Sequence, residues 1–260
     1  MKVDLKKRHK MVVAIINNQP FIQTPFFETA VQLLFNANNI ADVSWMNVKA
    51  FPVDYARNEA VKRFLEDDNY KEVEWLAWLD TDMTFPPDMY ALMFKAIEEN
   101  PQIKVISGVY FKKNFKGEVV AWNFDGQNRK VEPVLDGTIQ SVTIFGPGAS
   151  IIHRSVLEKI GYPWFQYGEL HEELQGIASE DIHFCNRAKE EGIKIWVHTG
   201  IMCGHLMQVE NTHNKIEFLG PGAEEFGKVI EFDNISDVIK EAKKGCGSYV
   251  DTISENGAKE

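Results

Sequence analysis

The sequence has 260 residues, 44% hydrophobic and 25% charged, which excludes a largely disordered chain and provides enough apolar side chains for a core. Its formal net charge of −10 argues against nucleic acid or an anionic membrane as the main partner, because both select basic surfaces. No apolar run reaches the roughly 20 residues of a membrane span, and three widely spaced cysteines without a CxxC pair are typical of reduced thiols. We therefore expect a cytoplasmic protein without membrane insertion.

Short apolar runs alternate with amphipathic segments through the first 110 residues. Buried strands are predicted at residues 11–16, 43–48, 73–79 and 104–110. Helices are predicted at residues 24–35, at residues 54–65 and directly after the prolines at 86–87. This alternation predicts an α/β fold with a mostly parallel central sheet flanked by helices.

The pattern is less regular beyond residue 110. Short strands are predicted at residues 119–122, 142–145 and 193–197. Helices are predicted at residues 155–160, 180–191 and 236–244, and the last of these belongs to a small C-terminal extension. We find no internal repeat and no linker between these segments.

Two carboxylates stand one residue apart at the end of the predicted strand 73–79. Open α/β sheets bind ligands at the carboxyl ends of their strands, and alternation would place Asp80 and Asp82 on the same side of the strand. Two like charges repel unless a cation lies between them, and a divalent ion that also binds two phosphates fits this position. The pair therefore predicts a metal site, and the alternative is that both residues cap a turn before the helix at 86–87.

Two later segments add side chains of related chemistry. Glu180 and Asp181 open a predicted helix whose dipole favours an ionised carboxylate, so Asp181 could accept a proton or position a hydroxyl. His205 follows a short apolar run and a glycine, and it could swing into a site as a metal ligand. The alternatives are an ordinary capping acid and a structural or exposed histidine.

Arg57 and the small residues of segment 145–150 are further candidates. Arg57 lies near the start of the predicted helix 54–65 and suits contacts with a phosphate or a ribose, because a guanidinium can bind two oxygens at once. The segment FGPGAS at 145–150 would let a ligand approach the backbone closely. A surface salt bridge and an ordinary turn are the alternatives.

The order of these motifs resembles that of the GT-A glycosyltransferases, close to family 2 and its phage and bacterial relatives. The series consists of RN, DTD followed by FPPD, GVYF, GPGA, SED and CGH, and it covers about residues 11–206. The resemblance implies a GT-A-type, Rossmann-like domain over residues 1–220, followed by a helical extension and tail over 221–260. Residues 1–110 would bind the nucleotide sugar and metal, and residues 111–220 the acceptor.

The resemblance also implies roles for the acidic residues and for His205. Asp82, with Asp80, would hold Mn²⁺ or Mg²⁺ against the donor diphosphate, although Asp80 could instead contact the ribose. His205 would complete the metal shell. Asp181 matches the base of the inverting members, and Glu180 beside it is the second candidate catalytic carboxylate.

The nucleotide would lie near Asn17, Asn18 and Arg57, and the resemblance favours a UDP-sugar as the donor. The sequence NNQP at 17–20 replaces the usual proline-containing signature after the first strand. The Gln/Arg-x-x-Arg/Lys-Trp motif of processive polysaccharide synthases is missing. We therefore expect a non-processive enzyme.

Three other functions fit parts of the sequence. The segment LDTDMT at 79–84 fits the opening of a haloacid-dehalogenase-type phosphatase, although that opening normally lies on the first strand. A nucleotidyltransferase would share the donor chemistry, but such enzymes usually show a Gly-rich, basic N-terminal loop. A catalytically silent nucleotide-sugar-binding protein would keep the fold and lose the base.

The acceptor is not specified by these motifs. A glycan or a small molecule is favoured, and a protein or a modified DNA base is less favoured because the chain is acidic. Four aromatic residues are candidates for stacking on a sugar, namely Trp122, Trp164, Tyr167 and Trp196.

Overall fold

A computed structural model of the chain describes residues 5–17, 21–113, 117–168, 170–171, 176–212, 215–219 and 230–231. The chain divides into two compact units: the first comprises Met1–Tyr110 and Val119–Gly204, and the second comprises Phe111–Glu118 and His205–Glu260. The domain division after residue 220 stays a prediction. In the described ranges, no helix has both the length and the apolar character needed to cross a membrane.

The first unit contains most of the regular structure. Its strands are β1 (His9–Ile16), β2 (Ala41–Val48), β3 (Trp75–Asp80), β4 (Met83–Thr84), β5 (Val105–Val109), β6 (Ala121–Phe124), β7 (Lys130–Val131), β8 (Ile139–Val142), β9 (Ile144–Phe145), β10 (Ala149–His153), β11 (Leu170–His171), β12 (Gly176–Ile177) and β13 (Ile195–Met202). Its helices are α1 (Thr24–Ala37), α2 (Val53–Glu66), α3 (Met89–Glu99), α4 (Arg154–Ile160) and α5 (Glu180–Glu190). A 3-10 turn covers Asp68–Tyr70.

The remaining strands lie at the boundary between the units and in the second unit. They are β14 (Gly204–His205), β15 (Gln208–Thr212), β16 (Lys215–Leu219) and β17 (Ile230–Glu231). Within the second unit, β15, β16 and β17 form an antiparallel sheet. The helix predicted at residues 236–244 lies outside the described residues.

A seven-stranded sheet in the order β2-β1-β3-β10-β5-β13-β8 forms the centre of the first unit. Strands β2, β1 and β3 are parallel, as are β5 and β13, whereas β10 runs antiparallel to both of its neighbours. At the far edge, β8 pairs antiparallel with β13. Five strands of this sheet thus run in one direction, so the predicted α/β class with a mostly parallel sheet is confirmed.

The sequence pattern predicts five strands of the central sheet but misses β10; the five are β1, β2, β3, β5 and β13. The segment 145–150 suggests a turn, whereas Ala149 begins a strand between β3 and β5 with Ile151 and Ile152 fully buried. The apolar run there is short and follows a Gly-Pro-Gly sequence, so local signals favour a turn, and pairing on both sides decides the strand.

Helix α2 packs a mostly apolar face against the sheet. Ala56, Ala60, Val61 and Phe64 are fully buried on this face, as the sequence predicts. Arg57 shares the buried face and is only 3% exposed. A buried arginine on an apolar helix face requires acidic partners, because an isolated charge is costly to remove from water.

The carboxyl ends of β1, β2 and β3 meet at one edge of the sheet. Asn17 follows β1, and its backbone N–H donates to the Val48 carbonyl at the end of β2, over 3.2 Å. Asp80 ends β3, and its N–H donates to the carbonyl of Gly148, which precedes β10, over 3.1 Å. This edge is the one at which open α/β sheets bind ligands.

Candidate functional site

A single buried arginine joins two groups of carboxylates that are far apart in the chain. Arg57 Nη2 donates to Asp80 Oδ2 over 2.8 Å, and its Nε donates to Glu180 Oε1 over 3.4 Å. The rings of Trp78 and Phe165 lie 5.4 and 5.8 Å from the guanidinium carbon, within cation–π range. Arg57 therefore links the end of β3 to the start of α5.

The charges of this cluster change the protonation equilibria of its members. Burial disfavours the Arg57 guanidinium, but Asp80 and Glu180 outweigh this effect and raise the Arg57 pKa above its ordinary value. Burial also raises the pKa of Asp80, against the opposing effect of Arg57, and the charge of Asp82 raises it further. One arginine thus neutralises part of the negative charge, and the site stays acidic. Because Arg57 is buried, the predicted alternative of a surface salt bridge is wrong.

Asp80 and Asp82 occupy different backbone environments. Strand β3 ends at Asp80, and Asp82 lies in the turn before β4, so the expectation that both lie on one side of a strand is wrong. Thr81 and Asp82 form the turn between β3 and β4, which begins at Met83. Asp80 uses Oδ2 to bind Arg57, while its buried Oδ1 has no hydrogen-bond partner among the described residues. An unsatisfied buried carboxylate oxygen is costly unless a ligand completes it.

These two carboxylates fit a hard divalent cation. Mg²⁺ and similar ions take oxygen ligands, and they are commonly held by one or two carboxylates together with substrate phosphates and water. Within the described ranges, no three His, Cys, Asp or Glu side chains converge in a way that could hold a metal by themselves. Phosphate oxygens would therefore have to supply part of the shell around Asp80 and Asp82.

His205 belongs to the second unit, in strand β14. Its Nδ1 lies 2.8 Å from the Phe111 carbonyl oxygen, which can only accept, so Nδ1 carries the hydrogen. The neutral ring then has its lone pair on Nε2, which is the arrangement of many metal-binding histidines. Convergence of His205 with Asp80 and Asp82 on one ion stays a prediction.

The two acids at the start of α5 have different partners. Glu180 is buried against Arg57. Asp181 is partly exposed, and its Oδ1 accepts hydrogen bonds from the Ser179 hydroxyl and, over 2.9 Å, from the Ile182 N–H. No hydrogen bond to Asp181 Oδ2 comes from the residues that the structure describes. Asp181 is therefore the acid with an oxygen left for another group.

Burial and then the charge of Glu180 raise the pKa of Asp181 to about 6. The helix dipole alone would lower this pKa, and desolvation together with a like charge acts in the opposite direction. At neutral pH Asp181 is still mostly ionised, but it binds a proton more readily than an ordinary aspartate.

The glycines at 146 and 148 make room for side chains of the protein. A Cβ on Gly148 would lie 2.6 Å from Asp80 Oδ2 and 2.7 Å from Met83 Sδ. A Cβ on Gly146 would overlap the hydroxyl of Tyr110. The close approach predicted for a ligand is thus taken by Asp80 and Tyr110, and these glycines shape the site indirectly.

Of two tyrosines affected by these charges, Tyr167 is a predicted candidate for stacking on a sugar, whereas no role is predicted for Tyr110. Burial, followed by the charges of Asp80 and Asp181, raises the pKa of Tyr110. Burial and the charge of Glu180 raise the pKa of Tyr167, whose side chain is nevertheless 45% exposed. The sequence feature that could have indicated Tyr110 is its place in the GVYF motif. For Tyr167 the only such feature is its aromatic ring.

The predicted nucleotide residues are placed only in part. Asn17 is buried at the end of β1, beside the end of β2. Asn18 lies outside the described residues. Asn58, the neighbour of Arg57, binds the backbone of Trp164 and Phe165 and so anchors the segment that leads to Tyr167.

Comparison with protein-family models and with the sequences of curated proteins gives no match. The crystal structure of A197 from STIV is similar to this chain, with 18% identity and a TM-score of 0.53 over 86% of this chain and 95% of that one. GalNAc-T7, solved with UDP, GalNAc and Mn²⁺, has 12% identity and a TM-score of 0.44 over 78% of this chain and 44% of its own. At that TM-score the second likeness supports no conclusion about this chain.

The first likeness and the strand order agree with the predicted α/β class, a mostly parallel central sheet flanked by helices. At 18% identity the likeness establishes a fold and leaves the reaction open. The chemistry must therefore be argued from the carboxylates, Arg57 and their surroundings.

Proposed function

We propose that the protein is a metal-dependent, non-processive glycosyltransferase that moves a sugar from a nucleotide diphosphate to an acceptor hydroxyl. One observation carries this proposal: two groups of carboxylates, Asp80 with Asp82 and Glu180 with Asp181, are joined by buried Arg57 at the ligand-binding edge of the sheet. Sugar transfer needs acidic groups in two places, one for the leaving diphosphate and one for the acceptor.

Asp80 and Asp82 are assigned to the leaving-group side. They would hold Mn²⁺ or Mg²⁺ together with oxygens of the donor diphosphate, and a bound cation would neutralise the charge that grows on the departing diphosphate. Arg57 binds Oδ2 of Asp80, so Oδ1 is the oxygen left for a ligand. This division of the two oxygens fixes the orientation of the Asp80 carboxylate before a donor arrives.

Asp181 is assigned to the acceptor side as the general base. The acceptor oxygen forms a bond to the anomeric carbon while the bond from that carbon to the diphosphate oxygen breaks. The hydroxyl proton passes to the Asp181 carboxylate, and the electron pair of the broken bond leaves with the diphosphate. One displacement of this kind inverts the anomeric centre. Its pKa of about 6 makes Asp181 a stronger base than an ordinary aspartate.

The nucleotide is assigned to Asn17, Asn18 and Arg57. Arg57 has a buried Nη1 without a hydrogen-bond partner in the described part of the chain, and a phosphate or ribose oxygen would complete it. A uridine diphosphate sugar is the favoured donor.

A phosphatase of the haloacid-dehalogenase type is the second candidate, because Asp80 and Asp82 also fit its acidic pair. In such an enzyme the first aspartate is the nucleophile, whereas Asp80 here ends the third strand of the chain and is held by Arg57. Hydrolysis of a generic phosphoester without a sugar nucleotide would favour the phosphatase.

Calorimetry with a panel of nucleotide sugars, with and without Mn²⁺, tests the proposal. We expect one uridine diphosphate sugar to bind in a Mn²⁺-dependent manner and Asp82→Ala to lose this binding while the protein stays folded. Asp88→Ala is the matched control, because Asp88 precedes α3 and its side chain makes no capping bond there. Nucleotide-sugar binding that does not depend on Mn²⁺, or that persists in Asp82→Ala, would contradict the metal assignment.

A further inference from the structure

The segment before α5 is held in place by hydrogen bonds to α2 and by ring packing on α5. Asn58 of α2 donates to the Phe165 carbonyl over 2.6 Å and accepts from the N–H groups of Trp164 and Phe165, each over 3.1 Å. The Phe165 ring is buried, stacked on Phe184 of α5 at 5.1 Å and edge-on to Trp78 at 5.7 Å. Residues 163–168 are therefore positioned by the core of the first unit.

Tyr167 lies in this anchored segment, and the N–H of its neighbour Gly168 donates to the Ala178 carbonyl over 3.4 Å, just before the start of α5 at Glu180. Burial and the charges of Glu180 and Asp181 raise the pKa of Tyr167. The residue is still 45% exposed, so a ligand can reach it from solvent. An anchored aromatic ring loses little conformational freedom when it binds a ligand.

The other three aromatic residues that could stack on a sugar are buried or partly buried. Trp122 and Trp164 are 6% and 7% exposed, and the Lys130 ammonium lies 3.6 Å from the Trp122 ring centroid. Trp196 is partly buried in β13. Tyr167 is therefore the most exposed of these four aromatic residues, and it lies in the segment that bonds to Ala178 just before α5.

We propose that the acceptor is an uncharged sugar whose C–H face stacks on the Tyr167 ring while its reactive hydroxyl faces Asp181. This inference rests on the proposed glycosyltransferase function and names its acceptor class. A sugar has an apolar face of C–H groups and an edge of hydroxyls, which match the negative face of an aromatic ring and a neighbouring carboxylate. The candidate site has four carboxyl groups and one guanidinium, so its charge disfavours an anionic acceptor.

Transfer kinetics with methyl glycosides test this inference. The acceptors are methyl glycosides of glucose, galactose, mannose and N-acetylglucosamine, with methyl glucuronide as the charged counterpart and a serine peptide as the non-sugar. We expect at least one neutral glycoside to be used, and Tyr167→Leu to raise its KM about tenfold or more. Tyr167→Phe keeps the ring and should change this KM much less than Tyr167→Leu does.

Tyr162→Ala is the matched control, because Tyr162 is 74% exposed and its ring contacts Trp164 in the same segment. It should leave the acceptor KM unchanged. Unchanged KM in Tyr167→Leu, equal use of methyl glucuronide, or transfer to the peptide alone would overturn the inference. Failure of the proposed function is a different result: no release of nucleoside diphosphate from any nucleotide sugar by the native protein.

Discussion

Replacement of Arg57 by alanine should be among the most destabilising single changes in α2. The substitution leaves Asp80 and Glu180 without their shared cation, and it removes a guanidinium that lies against Trp78 and Phe165. Loss of one partner from a buried ion pair typically costs about 3–5 kcal/mol. The Asp80 side chain is 23% exposed and can take up some water, so we expect the lower end of that range, about 3 kcal/mol.

The same helix supplies the control. Arg63 pairs with Glu59 one turn away, and the two side chains are 48% and 30% exposed, so Arg63→Ala should cost only about 0.3–0.5 kcal/mol. Urea unfolding of both variants and the native protein at pH 7.5 gives the two differences. Arg57→Lys should recover part of the loss, because a lysine keeps the charge but lacks the fork that reaches both acids. A cost for Arg57→Ala near that of Arg63→Ala would refute the role of Arg57 as the buried link.

Gly148→Ala should weaken Mn²⁺-dependent donor binding at least about tenfold in calorimetry, because its Cβ would lie 2.6 Å from Asp80 Oδ2. Gly126→Ala is its control, since a Cβ there meets nothing within 4 Å, and equal effects of the two would contradict the crowding of Asp80. Asp181→Asn should raise the unfolding temperature at pH 7.5, with the difference shrinking towards pH 4.5 in calorimetric scans. The folded-state pKa of about 6 exceeds the ordinary value of 3.8, so the ionised carboxylate opposes folding above pH 6 and this penalty fades as pH falls. If the difference in unfolding temperature does not change with pH, the pKa of Asp181 is not raised in the folded protein. Transfer at subsaturating acceptor should decline as the pH drops below about 6 in the native protein, and a rate flat down to pH 5 would exclude Asp181 as the base.

The sequence pattern could predict those features of the fold that depend on local periodicity. The apolar run of β1 and the stripe of Ala56, Ala60 and Phe64 on α2 each match the structure, because burial on one face leaves a regular spacing. Strand β10 could not be predicted, since its four apolar or small residues depend on the partners β3 and β5. Asp82 was misplaced because the end of β3 is set by pairing and not by side-chain type.

In the candidate site, too, some residues are indicated by a local sequence pattern, whereas other features depend on the folded chain. Asp80 and Asp181 could be selected because a carboxylate at a strand end or a helix start has a recognisable local setting. The contact of Arg57 with Glu180 spans 123 residues, and no local pattern indicates it. The raised pKa of Asp181 also depends on burial and on Glu180, which only the folded chain provides.

The central claim is that Asp181 removes the proton from the acceptor hydroxyl in a single displacement. Single-turnover transfer by Asp181→Asn and Glu180→Gln, with NMR of the product's anomeric centre, tests it most directly. We predict that Asp181→Asn keeps its fold and Mn²⁺-dependent donor binding but loses transfer about 10²–10⁴-fold, that Glu180→Gln loses less, and that the native product is inverted. Near-normal transfer by Asp181→Asn, or a product that retains the donor's anomeric configuration, would contradict the claim.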